Sequence, residues 1–151
     1  MPTFEKRATS ALAGWEHYPH GADIGLRGFG RSVEEAFEQA AIALTAIVAD
    51  VSSVRESVQV EIHCDAPDLE LLFVSWLNTI IYEMAVRNML FSSYSVVLSG
   101  LSLTGTLVGE AIDPERHQLA VEAKGATVTD LKVECDSAGV GSRNALSMYE
   151  S

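Results

Sequence analysis

Apolar residues recur at helical spacing in two stretches of the chain. The first opens at Ser32, with Glu35 three residues on, the spacing of a capping box. Val33, Ala36, Phe37, Ala40, Leu44, Ile47 and Val48 then mark one face of a helix. The second follows Asp65, with Pro67 suited to a first turn. There Leu69, Leu72, Phe73, Trp76, Leu77, Ile80, Ile81 and Met84 form a wide apolar stripe, the mark of a core helix rather than of a cofactor box.

Elsewhere the pattern is that of strands. Ile24, Leu26 and Gly28–Phe29 predict a strand entering the first helix. Val58, Val60 and Ile62 alternate with Gln59, Glu61 and His63, the pattern of a half-buried strand. Residues 93–98 and 101–112 read as two strands turned at Ser99–Gly100, and Asp113–Pro114 marks a further turn. Residues 118–122 and 127–135 are two more strands. The element order predicts an α+β fold, with two helices packed on one face of a largely antiparallel sheet.

Composition narrows the function. At 151 residues, 48% hydrophobic and 21% charged, the chain fits one globular domain with a sizeable core. Residues 1–10 carry Glu5, Lys6 and Arg7 with no apolar stretch behind them, so no secretory signal is expected and the location expected is cytoplasmic. The apolar stretch 69–85 is broken by Glu70, Asn78 and Glu83 and reads as too short and too polar to span a bilayer. Cys64 and Cys135 lie far apart and are expected as reduced, buried thiols. Ten basic residues stand against 21 acidic ones, a net charge of −11. Nucleic-acid affinity comes largely from neutralised phosphates, so little direct binding is expected, and a cation or a basic protein suits this surface better.

Candidate chemistry concentrates in one segment, Trp15-Glu16-His17-Tyr18-Pro19-His20-Gly21-Ala22-Asp23. A bend at Pro19–Gly21 can turn His20 and Asp23 toward one point, where imidazole suits transition metals and carboxylate also suits calcium or magnesium. The same residues fit a plain turn in which Asp23 caps backbone amides and the histidines face solvent. Glu122 and Lys124 read as solvated, Asp65 and Asp68 as helix-capping groups, and Asp113, Glu115 and His117 as a polar turn. No phosphate-binding loop, dinucleotide fingerprint or nucleophile motif is present.

The segment from Glu16 to Asp23, followed by Ile24-Gly25, resembles the N-terminal signature of the archease family, with Gly21 where that family usually has threonine. Four further matches follow in order: Ser32-Val33-Glu34-Glu35-Ala36-Phe37; Leu71-Leu72 with Trp76-Leu77-Asn78 and Ile81-Tyr82; Gly109-Glu110 with Asp113 and His117; and residues 122–127 around Lys124. The resemblance divides the chain into an N-terminal extension, 1–14, a family domain, 15–136, and a tail, 137–151. It implies an SHS2-like α+β domain that acts as a non-catalytic cofactor of the GTP-dependent RNA 3′-phosphate ligase of tRNA splicing and RNA repair. The help implied is with guanylylation and multiple turnover. It also implies a divalent metal, calcium before magnesium, manganese or zinc. The implied ligand is Asp23, with His20 beside it, and a second aspartate at the family's C-terminus. Lys124 matches a lysine implicated in function. Two other classes compete: a metal-dependent hydrolase with Asp23 and the histidines as ligands and Glu16 as base, and a chaperone-like interaction module.

The tail departs from the family. Gly139, Gly141 and Asn144 crowd a segment with no evident alternation, and Glu150 falls near the missing aspartate. One permitted set of codons for residues 139–150, shifted by two bases, spells Arg-Gly-Phe-Ala-Gln-Arg-Val-Val-Asp-Val-stop, which resembles the family ending. A change of reading frame is the expected cause, and residues 137–151 are expected to be mobile or loosely paired.

Overall fold

The computed structural model describes residues 6–10, 13–20, 23–117, 119, 128–136 and 143–150. Strands β1 (Lys6–Ser10), β2 (Ala13–His20) and β3 (Asp23–Gly30) lead into helix α1 (Val33–Val48). A 3-10 turn (Val51–Ser53), β4 (Val58–Asp65), α2 (Leu69–Arg87), β5 (Met89–Ser99) and β6 (Ser102–Ala111) follow. Strands β7 (Val128–Asp136) and β8 (Arg143–Glu150) complete the chain. Every strand pairing is antiparallel, in two sheets ordered β1-β2-β3-β8-β7 and β4-β6-β5. The α+β architecture is the one the pattern predicts, divided between two sheets.

Both helices start where a side chain can satisfy their free amides. Ser32 Oγ accepts from the Glu35 amide at 3.1 Å, while the Glu35 carboxylate reaches back to the Arg31 amide at 2.8 Å. The second cap is Asp68 rather than Asp65: its carboxylate accepts from the Leu71 amide at 2.8 Å, leaving Pro67 just ahead of the helix. Asn88, with φ 54°, ends α2 in the left-handed region and turns the chain straight into β5. Hence β5 begins at Met89, before the expected residue 93.

The core runs between the helices and both sheets. Trp76, Phe37, Phe73 and Phe91 are fully buried within it. The Trp76 indole N–H donates to the Phe37 carbonyl at 2.9 Å, tying α2 to α1. That ring lies on the bare backbone of Gly105, where a Cβ would come within 2.4 Å of it. Gly28 lets β3 approach α1 as closely: a Cβ there would sit 2.3 Å from the Ala40 nitrogen. By length and composition the 19-residue α2 is long and apolar enough to cross a membrane, against expectation, yet its apolar stripe is spent in this core.

Both ends of the chain join one sheet. Within the segment 1–14, Lys6–Ser10 forms an edge strand against β2. The expected loose tail is corrected: Arg143–Glu150 lies between β3 and β7 and pairs with both. Strand pairing uses backbone amides and carbonyls, which any residue but proline supplies. An alternation does exist, with Leu146 opposite Gly28 and Met148 opposite Leu26. The nearby glycines obscure it. The strand expected over 118–122 lies outside the described residues. Cys64 is buried and free, as expected.

Candidate functional site

The β2–β3 hairpin brings the signature residues together by register. Glu16 pairs with Arg27, Tyr18 with Gly25, and His20 with Asp23, which closes the hairpin with two residues between them. Directly opposed residues of an antiparallel pair lie roughly 4.5–5.5 Å apart at Cα. The backbone therefore delivers an imidazole residue and a carboxylate residue to one point at the end of the sheet. Glu150, at the end of β8, pairs with Ile24 and with Val128, so it comes to the same end, one register step from Asp23. Alternate steps of a strand belong to opposite faces, which separates Glu150 from the His20–Asp23 pair. Lys124 lies outside the described residues, four positions before Val128.

The other polar residues of the signature have structural tasks. The His17 Nε2–H donates to the Ala43 carbonyl at 2.7 Å, and the ring packs 4.9 Å from that of Trp15, anchoring the hairpin to α1. Glu16 forms an ion pair with Arg27, whose guanidinium lies 4.8 Å over the Tyr18 ring. His17 is thus half-buried and held to α1 through Nε2, and Glu16 is engaged where a hydrolase needs a base. Among the described residues no group of three or more His, Cys, Asp or Glu side chains gathers for a metal. In donor chemistry, a carboxylate residue and an imidazole residue paired by register fit a divalent cation, the oxygen donor suiting calcium or magnesium and the nitrogen a transition metal.

A second histidine–carboxylate grouping, expected as a solvated turn, is buried. His117 is 1% exposed. Its Nδ1 accepts from the Asp113 amide at 2.8 Å, so the proton resides on Nε2, which donates to Glu110 Oε2 at 2.9 Å. Glu110 also accepts from the Arg55 amide at 2.7 Å and from Arg116 at 2.5 Å. Arg116 reaches on to the Ser53 carbonyl at 2.7 Å. The Arg116 hydrogen bond foremost, then the Arg55 amide and His117, hold the Glu110 carboxyl down to about 2. This cluster staples the turn after β6 to the segment before β4. Its donors and acceptors are turned on one another, which is structural work. The signal in the sequence was the seven-residue spacing of Glu110 and His117, which the polar residues between them disguised.

Comparison with known proteins bears on the whole chain. The profile of the archease protein family matches residues 15–144. Protein archease of Pyrococcus furiosus is 37% identical over 124 residues, covering 80% of this chain and 87% of its own. Protein archease of Sulfurisphaera tokodaii is 35% identical over 122 residues, covering 80% and 88%. The solution structure of protein 1598 of Methanobacterium thermoautotrophicum superposes with a TM-score of 0.73 at 26% identity, covering 91% of this chain and 98% of that one. An archease of Thermotoga maritima, described as a possible chaperone, shares the fold at a TM-score of 0.53 and 17% identity, over 89% and 94% of the two chains. With its signature hairpin, both helices and the Glu110–His117 turn all inside the matched span, the chain belongs to the archease family.

Proposed function

We propose that this chain is a cytoplasmic, non-catalytic accessory protein that activates a GTP-dependent RNA 3′-phosphate ligase in tRNA splicing or RNA repair. We place its functional centre at the end of the β2–β3 hairpin. The observation that carries the site is the His20–Asp23 register pair, supported by family membership. Asp23 and His20 are the residues to hold a divalent cation, calcium first and magnesium, manganese or zinc as alternatives. A cation there supplies positive charge on a chain of net charge −11, a point of attraction for an anionic group of the partner. Asp23 contributes negative charge to the ion, His20 a neutral nitrogen donor, and His17 holds the hairpin against α1 so that neither drifts. Lys124 is assigned to partner contact. The acidic surface suits a partner's basic face and supports contact through protein rather than RNA. Against the hydrolase reading, Glu16 and His17 are already engaged with Arg27 and the Ala43 carbonyl. A chaperone-like role is the description given to the Thermotoga relative, and it shares the protein partner without the metal.

The test uses the full chain with a GTP-dependent RNA ligase under limiting GTP. Expected are faster ligase guanylylation when the chain is added, and no ligation or GTP hydrolysis by the chain alone. Calorimetric titration with calcium, magnesium, manganese and zinc identifies the ion. Intrinsic ligase or GTPase activity of the purified chain overturns the assignment. Stimulation without any metal binding leaves the interaction module as the better reading.

A further inference from the structure

Among the described residues the two sheets have four edge strands: β1 and β7 in one, β4 and β5 in the other. Three of them are interrupted. The β1 register shifts between Ala8 and Ser10, that of β5 between Phe91 and Ser93, and that of β7 between Thr129 and Lys132. On β5 a side chain also closes the edge: the Glu38 carboxylate of α1 accepts from the Val96 amide at 2.8 Å. Bulges and covered amides are the usual ways of blunting an edge against foreign strands.

Strand β4 has neither device. Its eight residues pair with β6 in unbroken register from Val58–Gly109 to Asp65–Ser102. It holds no proline and no lysine. Among the described residues no strand lies on its other side, and no side chain takes up an amide of residues 58–65. The parity of the open groups follows from the next residue, where the Ala66 amide donates to the Leu101 carbonyl. Counting back by twos, Cys64, Ile62 and Val60 turn their amides and carbonyls to β6. Those of Gln59, Glu61, His63 and Asp65 therefore face the open edge. The side chains divide in step: Val60, Ile62 and Cys64 are buried, while Glu61, His63 and Asp65 are exposed.

We infer that the open edge of β4 is a strand-addition site for an extended segment of a protein partner, with basic residues at alternate positions and small apolar ones between. Main-chain hydrogen bonds supply affinity in this mode, and alternate side chains supply selectivity. Residues of the added strand opposite Glu61 and Asp65 stand roughly 4.5–5.5 Å away at Cβ, where lysine or arginine is favoured and an acid is repelled. On the other face the segment extends the row of Val60, Ile62 and Cys64. A second copy of this chain is the weaker occupant, since each copy carries a net charge of −11. The site is separate from the β2–β3 hairpin end and does not depend on the ligase or metal assignments.

The probe is a capped peptide, Lys-Val-Lys-Val-Lys-Val-Lys, titrated into the full chain and followed by fluorescence anisotropy and amide hydrogen exchange. Expected are saturable binding and slowed exchange at Gln59, Glu61, His63 and Asp65. Two changes should each weaken binding about tenfold or more: N-methylation of alternate peptide amides, and His63→Pro, which removes an open donor while sparing the β6 ladder. Reversing charge with Glu61→Lys and Asp65→Lys together should shift preference to the Glu-Val counterpart of the peptide. That arm and the N-methylated peptide decide the matter if His63→Pro lowers the melting temperature. The inference is overturned by absence of binding, by equal binding of the N-methylated peptide, or by protection elsewhere on the chain. A dimer that forms without peptide and is lost in the Glu61→Lys/Asp65→Lys variant gives the edge to a second copy instead.

Discussion

Two regions of this protein set a histidine against a carboxylate, and they use the pair in opposite ways. In the turn after β6, His117 and Glu110 are buried, and the donors and acceptors around them are directed at protein partners: Arg55, Arg116, Asp113 and Ser53. At the tip of the β2–β3 hairpin, His20 and Asp23 are brought opposite one another by strand register alone. Composition does not distinguish these groupings, since both are acidic turns with histidine in a motif of the same family. What separates them is how each pair is held. A carboxylate whose lone pairs are filled by protein donors is a staple, whereas backbone register alone puts His20 and Asp23 together at the sheet end, where we place the ion.

The comparison breaks most visibly at His117. His117→Ala should cost about 2–4 kcal/mol of unfolding free energy, because it empties a buried site, leaves the Asp113 amide without its acceptor and takes from Glu110 Oε2 one of its two donors, the other being the Arg55 amide. Denaturant titration checks this, and the folded variant should stimulate the ligase as well as the parent chain does. If His117→Ala is neutral in stability yet inactive, the turn is a functional site and the division between the two regions fails.

Acid sharpens the same point. The Glu110 carboxyl is held from its ordinary 4.5 down to about 2 in the folded chain. A lowered folded pKa contributes stability that is fully present above about 4.5 and disappears as pH falls through about 2. Glu110→Gln should therefore flatten the pH dependence of unfolding in that window by close to one proton, on the order of the linkage slope of a single group. A slope unchanged by the substitution contradicts the staple.

The next effect lies at the chain's end. Replacing residues 139–151 with Arg-Gly-Phe-Ala-Gln-Arg-Val-Val-Asp-Val supplies a family-type terminal carboxylate in place of Glu150, which sits one register step from Asp23. Metal affinity should rise on the order of tenfold, read by calorimetry, since carboxylates supply much of a calcium site's binding. Equal affinity for the two endings removes any functional meaning from the departure.

The smallest stability effect belongs to Asp23. Asp23→Ala should stay within about 0.5 kcal/mol of the parent chain, as follows from assigning its carboxylate to an ion rather than to the fold. A large loss in a thermal melt makes Asp23 a structural capping residue instead.

Much of this was legible in the sequence, and what was not has identifiable physical causes. The helices showed because their stripes and caps are local: Ser32 with Glu35, Asp68 with Leu71. The β4 strand showed because one face is buried and the other is wet. The anchoring of His17 was hidden because its partner, the Ala43 carbonyl, lies 26 residues away and on a helix. His117 was hidden because a turn rich in charge looks solvated, and only the fold closes Arg116 and Glu110 over it. Strand β8 was hidden because glycines beside a short alternation read as loop, while its place between β3 and β7 is set by backbone pairing. The hairpin site was visible as a cluster of types, but the exact opposition of His20 and Asp23 needed the register.

The most direct test is ligase guanylylation under limiting GTP, measured with no added protein, with the parent chain and with Asp23→Ala at equal folded concentration. Faster guanylylation with the parent chain, falling to the unassisted rate with Asp23→Ala, is the expected result. If Asp23→Ala stimulates as well as the parent chain, the hairpin end is not the functional centre and the central claim is contradicted.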